Sequence, residues 1–170
     1  MFEKYTEKAR VTIFFARYFA NKCNAFAIEP EHILLGLIKA DPKLFELLSP
    51  TGNDGTEIIK ARLNDFLISK YSDSEKAPED IPLSNESKKV LQSAYQQGVE
   101  LNHTYIASEH LLLGLLKESI KEEHSFFSFK PKYFLSFLGQ LLQDYGLTLE
   151  QVKYRVKDGS LTHQEQAFNK

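Results

Sequence analysis

The sequence predicts an all-α protein made of two tandem copies of one small helical unit. Three observations carry this. The string EHILLGLIK at 31–39 returns as EHLLLGLLK at 109–117, an offset of 109 − 31 = 78. The same offset holds upstream without a gap, and residues 5–39 match 83–117 at ten positions. Within each copy the apolar residues recur at helical spacing rather than in strand alternation.

Thr6 and Ser84 are placed to cap the first helix of each copy, their hydroxyls accepting from a free backbone N–H of the first turn. Ala9, Ile13, Ala16 and Ala20 then line one face of the first helix, and Val90, Leu91 and Ala94 that of its counterpart. Asn24 and Asn102 stand where these helices should stop, because Asn tolerates the left-handed conformation. Short links, 25–28 and 103–106, lead to the two EH helices. These are apolar almost all round, which predicts burial. Gly36 and Gly114 fall inside them at matching positions. An internal glycine costs about 1 kcal/mol relative to Ala, so its repetition predicts a close helix-to-helix contact. Pro42 opens a third helix over 43–48, and 52–55 (Gly-Asn-Asp-Gly) predicts a turn. Asp54 or Thr56 then caps a fourth helix through Ile58, Leu63 and Leu67. In copy two the last helix begins at Thr148, with Gln151 three residues on, and ends near Gly159.

These elements divide the chain into repeat 1 (1–68), a polar, Pro-containing linker (69–82), repeat 2 (83–158) and a polar tail (159–170). Leu47-Leu48 matches Leu141-Leu142 at an offset of 94, so repeat 2 holds 94 − 78 = 16 extra residues, within about 118–137. This insert is rich in aromatics, including Phe126, Phe127 and Phe129. It reads either as an extended helix packing its rings inward or as an exposed patch that meets a partner.

Composition narrows the function. A net charge of −2 argues against nucleic acid as the main partner. No apolar run reaches membrane-spanning length, and the N-terminus lacks the apolar core of a signal peptide. The single cysteine, Cys23, forms no internal disulfide. A cytoplasmic protein is expected. Phosphate loops, nucleophile elbows and zinc-protease motifs are missing, so neither catalysis nor a cofactor is expected. No metal site is expected either: His32 and His110 recur without a second ligand at metal spacing and read as structural histidines.

The N-terminal run FEKYTEKA (2–9) and the two EH-I/L-LLGL segments at this spacing resemble the Clp N-terminal domain, the tandem helical module at the front of Clp ATPases. The resemblance covers roughly 1–157. It implies two four-helix repeats related by pseudo-twofold symmetry. It also implies a protein-binding role, docking adaptors or unfolded or tagged substrate proteins for Clp ATPase and protease subunits. In ClpC-type members this domain also binds phosphorylated arginine, the EH glutamate holding the guanidinium and the hydroxyl at the start of the first helix lying by the phosphate. Carried over by position, these are Glu31 with Thr6 and Glu109 with Ser84. All four have structural readings too: a carboxylate in a first helical turn is favoured by the dipole, and Thr6 and Ser84 are caps. Where the family carries Gly-Thr before Glu-His, copy one has Glu29-Pro30 and copy two Ala107-Ser108. Glu29 sets a negative charge near the phosphate position, so copy two is expected to be the better site.

Overall fold

The computed structural model describes residues 2–49, 53–123 and 132–161. The described residues form eight helices and one two-stranded hairpin. Repeat 1 contributes α1 (Glu7–Lys22), α2 (Pro30–Ala40), α3 (Pro42–Leu48) and α4 (Asn53–Tyr71). Repeat 2 contributes α5 (Asn85–Glu100), α6 (Ser108–Ser119), the strands β1 (Ile120–Glu123) and β2 (Lys132–Leu135), then α7 (Phe137–Asp144) and α8 (Leu149–Lys157). The all-α class therefore holds, with the hairpin as the one departure.

Local chemistry sets the helix ends. Thr6 and Ser84 cap α1 and α5, accepting from the backbone N–H of Ala9 at 3.3 Å and of Ser87 at 3.0 Å. Asn24 and Asn102 both sit at φ 58°, the left-handed conformation that ends each first helix. Asp41 caps α3 ahead of Pro42, and Thr148 caps α8. The turn expected at 52–55 differs: α4 already begins at Asn53, and Thr56 is buried inside it rather than capping it. Asn and Asp are as much at home at a helix N-terminus as in a turn, so composition did not separate the two.

The EH helices are the core. Residues 32–38 of α2 and 110–116 of α6 are all buried, and each fully buried Leu or Ile contributes about 1.5–3 kcal/mol. α2 packs on α1, α6 packs on α5, and α2 and α6 meet between the repeats. Both contacts with the first helices depend on glycine. A Cβ on Gly36 would overlap the Thr12 carbonyl oxygen and lie 2.8 Å from the Ala16 nitrogen; on Gly114 it would overlap the Val90 carbonyl oxygen and lie 2.9 Å from the Ala94 nitrogen. The obstacle is backbone in both copies, so it cannot swing away.

Two parallel backbone bridges then lock the repeats crosswise. Thr6 N donates to Ile106 O and Ile106 N to Lys4 O, while Ser84 N donates to Ile28 O and Ile28 N to Pro82 O, all between 2.7 and 3.0 Å. Ser87 Oγ adds a bond of 2.6 Å to Ile28 O. The end of the inter-repeat segment is thus fixed to repeat 1, and Ile81 within it is buried. Leu161, the last described residue, is buried as well.

The insert does not continue α6 as a longer helix. Residues 120–123 pair antiparallel with 132–135, from Ile120 opposite Leu135 to Glu123 opposite Lys132. A β-branched Ile and the Tyr-Phe pair favour strand. Phe137 turns inward and stacks on Phe66 of α4 at 4.1 Å, whereas Tyr133 is exposed. Phe126, Phe127 and Phe129 lie outside the described residues.

Replacing Gly114 with Ala is expected to destabilise the chain by about 1–3 kcal/mol, although Ala is the better helix former, because the overlap is with backbone. Urea denaturation of Gly114→Ala against the parent checks this; equal or greater stability would contradict the close-contact account.

Candidate functional site

The crosswise bridges decide which residues share a corner. Because Ser84 is bonded to the link before α2, the start of α2 lies beside the start of α5; because Thr6 is bonded to the link before α6, the start of α6 lies beside the start of α1. Glu31 therefore keeps company with the Ser84 end and Glu109 with the Thr6 end. This exchanges the pairing expected from sequence, in which each glutamate was joined to the cap of its own repeat.

At the α2 corner the two repeats enclose a pocket of about 290 Å³. The start of α2 supplies Glu29 and Glu31; α4, which runs to Tyr71 past the repeat boundary expected at 68, supplies Lys70; α5 supplies Glu86 and Lys89; the end of α6 and the insert supply Glu118, Lys121 and Ser136. Burial raises the Glu31 carboxyl above the usual range, opposed by its backbone hydrogen bond and by the charges of Lys70 and Lys121. Lys70 Nζ also lies 3.9 Å from Glu29 Oε1, and Ser93 Oγ on α5 donates to Glu118 Oε1. Carboxylates and ammonium groups thus converge on one cavity, an arrangement suited to a ligand bearing both signs of charge.

The α6 corner is different. Glu109 is 2% exposed and Ser108 1% exposed. The counterparts of Lys89 and Glu118 at the 78-residue offset are Val11 and Ala40, and that of Glu86 is Lys8, which pairs with Asp41 at 3.5 Å. Among the described residues these three positions of the charged lining are not reproduced there. Sequence expected the better site in copy two; the geometry favours the corner built around Glu31.

The two EH histidines are structural parts of the helix starts. Glu29 N–H donates to His32 Nδ1, and Ala107 N–H to His110 Nδ1, both at 2.9 Å. Each imidazole thereby takes the place that a Glu or Gln side chain fills in a capping box. A ring that accepts at Nδ1 carries its proton at Nε2. His32 Nε2–H then points at Cys23 Sγ, 3.2 Å away, and His110 Nε2–H at His103 Nδ1, 2.8 Å away. Burial pushes both histidines down to about 4, helped by Lys70 for His32 and by His103 for His110. The Cys23 thiol is raised, again chiefly by burial.

His103, Glu109 and His110 bring possible metal-ligand atoms within 4.8 Å of one another. The tautomer opposes a metal there. Ligation through His110 Nε2 would move the ring proton to Nδ1, against the Ala107 N–H already directed at it.

Sequence reading missed Lys70, Lys89, Lys121, Glu86 and Glu118. They come from four separated elements and carry no shared motif, so only the fold assembles them. Thr6 and Ser84 act as caps, and Glu31 is the sequence-selected residue that lines the pocket.

The chain matches the Clp repeat (R) N-terminal domain over residues 4–127, and it belongs to that family. A probable ATP-dependent Clp protease ATP-binding subunit from Chlamydia pneumoniae is 34% identical over 119 residues, which are 70% of this chain and 14% of that protein. The chloroplastic chaperone protein ClpC2 of Oryza sativa subsp. japonica is 36% identical over 125 residues, 69% of this chain and 12% of that protein. The chain thus spans well under a fifth of these relatives. Among solved structures, the Hsp104 N-terminal domain from Candida albicans shares the fold at a TM-score of 0.67 and 19% identity, covering 95% of this chain and 94% of that one. Among the described residues no helix is long and apolar enough to cross a membrane.

His32 and His110 stay neutral in the folded chain down to about pH 4 but protonate near pH 6.5 when unfolded. Between those values the unfolded chain binds more protons, so stability is full above pH 6.5 and falls as pH drops toward 4. Denaturation midpoints measured from pH 7.5 to 4 should show this fall, and ¹⁵N imidazole shifts should report the Nε2–H tautomer for both rings. A flat profile with Nδ1–H rings would contradict the capping role.

Proposed function

We propose that this chain is a protein-binding module of the Clp unfoldase and protease system, working in the cytoplasm and docking adaptors or substrate proteins without catalysing a reaction itself. Family membership supports the setting. The observation that carries the reading is the charged pocket between the repeats: it opens at the surface, draws on both copies, and gathers carboxylates and lysines of both on one cavity. A pull-down with the tagged chain, at near-physiological salt and without ATP, is expected to recover a Clp subunit, adaptor or unfolded client identified by mass spectrometry. Recovery of none of these sinks the reading.

A second reading is favoured by the same pocket. Carboxylates beside three lysines suit a small ligand with a guanidinium at one end and an anion at the other, as phosphoarginine has. Calorimetric titration with phosphoarginine is expected to give heat with the parent and with Glu109→Ala, and at least a tenfold loss of affinity with Glu31→Ala. No heat with the parent ends this reading and leaves protein docking untouched.

A further inference from the structure

The outer face of α1 carries more exposed aromatic surface than the fold requires. Phe14 and Tyr18 lie one turn apart and are 68% and 53% exposed. Phe15 and Phe19 flank them half-buried, edge-on at 5.6 Å and 5.4 Å. The duplication supplies an internal control. The counterparts of these four residues in α5 are Gln92, Ser93, Gln96 and Gln97, and α5 keeps the same serine or threonine cap, the same length and the same glycine-mediated packing without them. Phe19 packs partly against the core, but the exposed rings of Phe14 and Tyr18 are surplus to the helix, and adjacent exposed aromatics mark a contact surface.

Charge indicates what the surface meets. From Lys8 to Lys22 the helix holds no carboxylate, on a chain whose net charge is −2. Lys8 turns toward Asp41, while Arg10, Arg17 and Lys22 are exposed beside the rings. Arg17 already holds a carboxylate: Asp80, itself 91% exposed, lies 2.8 Å from its guanidinium. An exposed pair of this kind is worth little and exchanges readily. A second copy of this chain would set arginine against arginine across the contact, so a partner with carboxylates fits and a copy of the same face does not.

We propose that this face of α1 docks an acidic amphipathic helix of a partner protein. The partner's apolar stripe packs on Phe14 and Tyr18, and its carboxylates reach Arg10 and Arg17, displacing Asp80. The proposal rests on the protein-docking reading and adds the chemistry of the partner.

A fluorescein-labelled 18-residue peptide with Leu at helical i, i+3, i+4 and i+7 positions and Glu elsewhere is the probe, read by anisotropy. Its twin with Lys in place of Glu and vesicles of phosphatidylglycerol are the controls. The Glu peptide is expected to bind the parent, at least tenfold tighter than the Lys twin and more weakly as salt is raised. Phe14→Gln with Tyr18→Gln, the residues that α5 carries, is expected to weaken binding at least tenfold with an unchanged melting temperature. Three results would overturn the proposal: equal affinity of parent and double variant, binding of vesicles but not of the Glu peptide, or self-association of the parent that the double variant abolishes. If the peptide fails while the pull-down still recovers a Clp component, the surface inference falls alone. If the peptide binds and the pull-down is empty, the Clp reading falls.

Discussion

The organisation of the molecule depends on the crosswise backbone bridges between the repeats, Thr6 with Ile106 and Ser84 with Ile28. Each fixes the first helix of one copy against the link that leads into the EH helix of the other. The repeats also touch through α2 and α6, through Phe66 and Phe137, and through Arg62 and Asp144, but those contacts lie away from the starts of the EH helices. With the bridges, the start of every EH helix becomes a junction of both copies. The pocket around Glu31 follows from this, since Lys89 reaches it from α5 and Lys121 from the insert.

The glycines and histidines of the EH segments serve that arrangement. Gly36 and Gly114 let the buried helices lie against backbone of α1 and α5. His32 and His110 close the helix starts on which the bridges bear. What recurs in both copies is therefore the scaffold: caps, close contacts and imidazole closures. What differs is the surface. Among the described residues the charged pocket lies at the α2 corner, the aromatic arginine-flanked face lies on α1, and the insert belongs to one repeat. Surface positions that differ between the copies are free of the shared packing, and recognition is built there.

The scaffold was largely readable from the sequence because its signals are local. Thr6, Ser84, Asn24 and Asn102 announce helix ends by their own backbone chemistry, and the paired glycines announce a close contact. The insert was less readable: the run 132–135 favours strand, yet the insert's density of aromatics also suits a longer helix that packs its rings inward. The site was readable only in part. Glu31 stood out within a motif, but the charged partners Lys70, Glu86, Lys89, Glu118 and Lys121 lie 39 to 90 positions away and share no motif among themselves. The exchange of corners was invisible, since a 78-residue offset reveals duplication and says nothing about which copy faces which.

The most direct measurement is the titration of the Glu31 carboxyl by ¹³C NMR in the parent and in Lys121→Ala. Burial raises this carboxyl, and Lys121, from the insert of the other repeat, opposes the rise. If the pocket is shared between the copies, removing Lys121 moves the Glu31 titration to still higher pH. An unchanged titration would mean that the insert does not reach Glu31, and the shared pocket would be wrong.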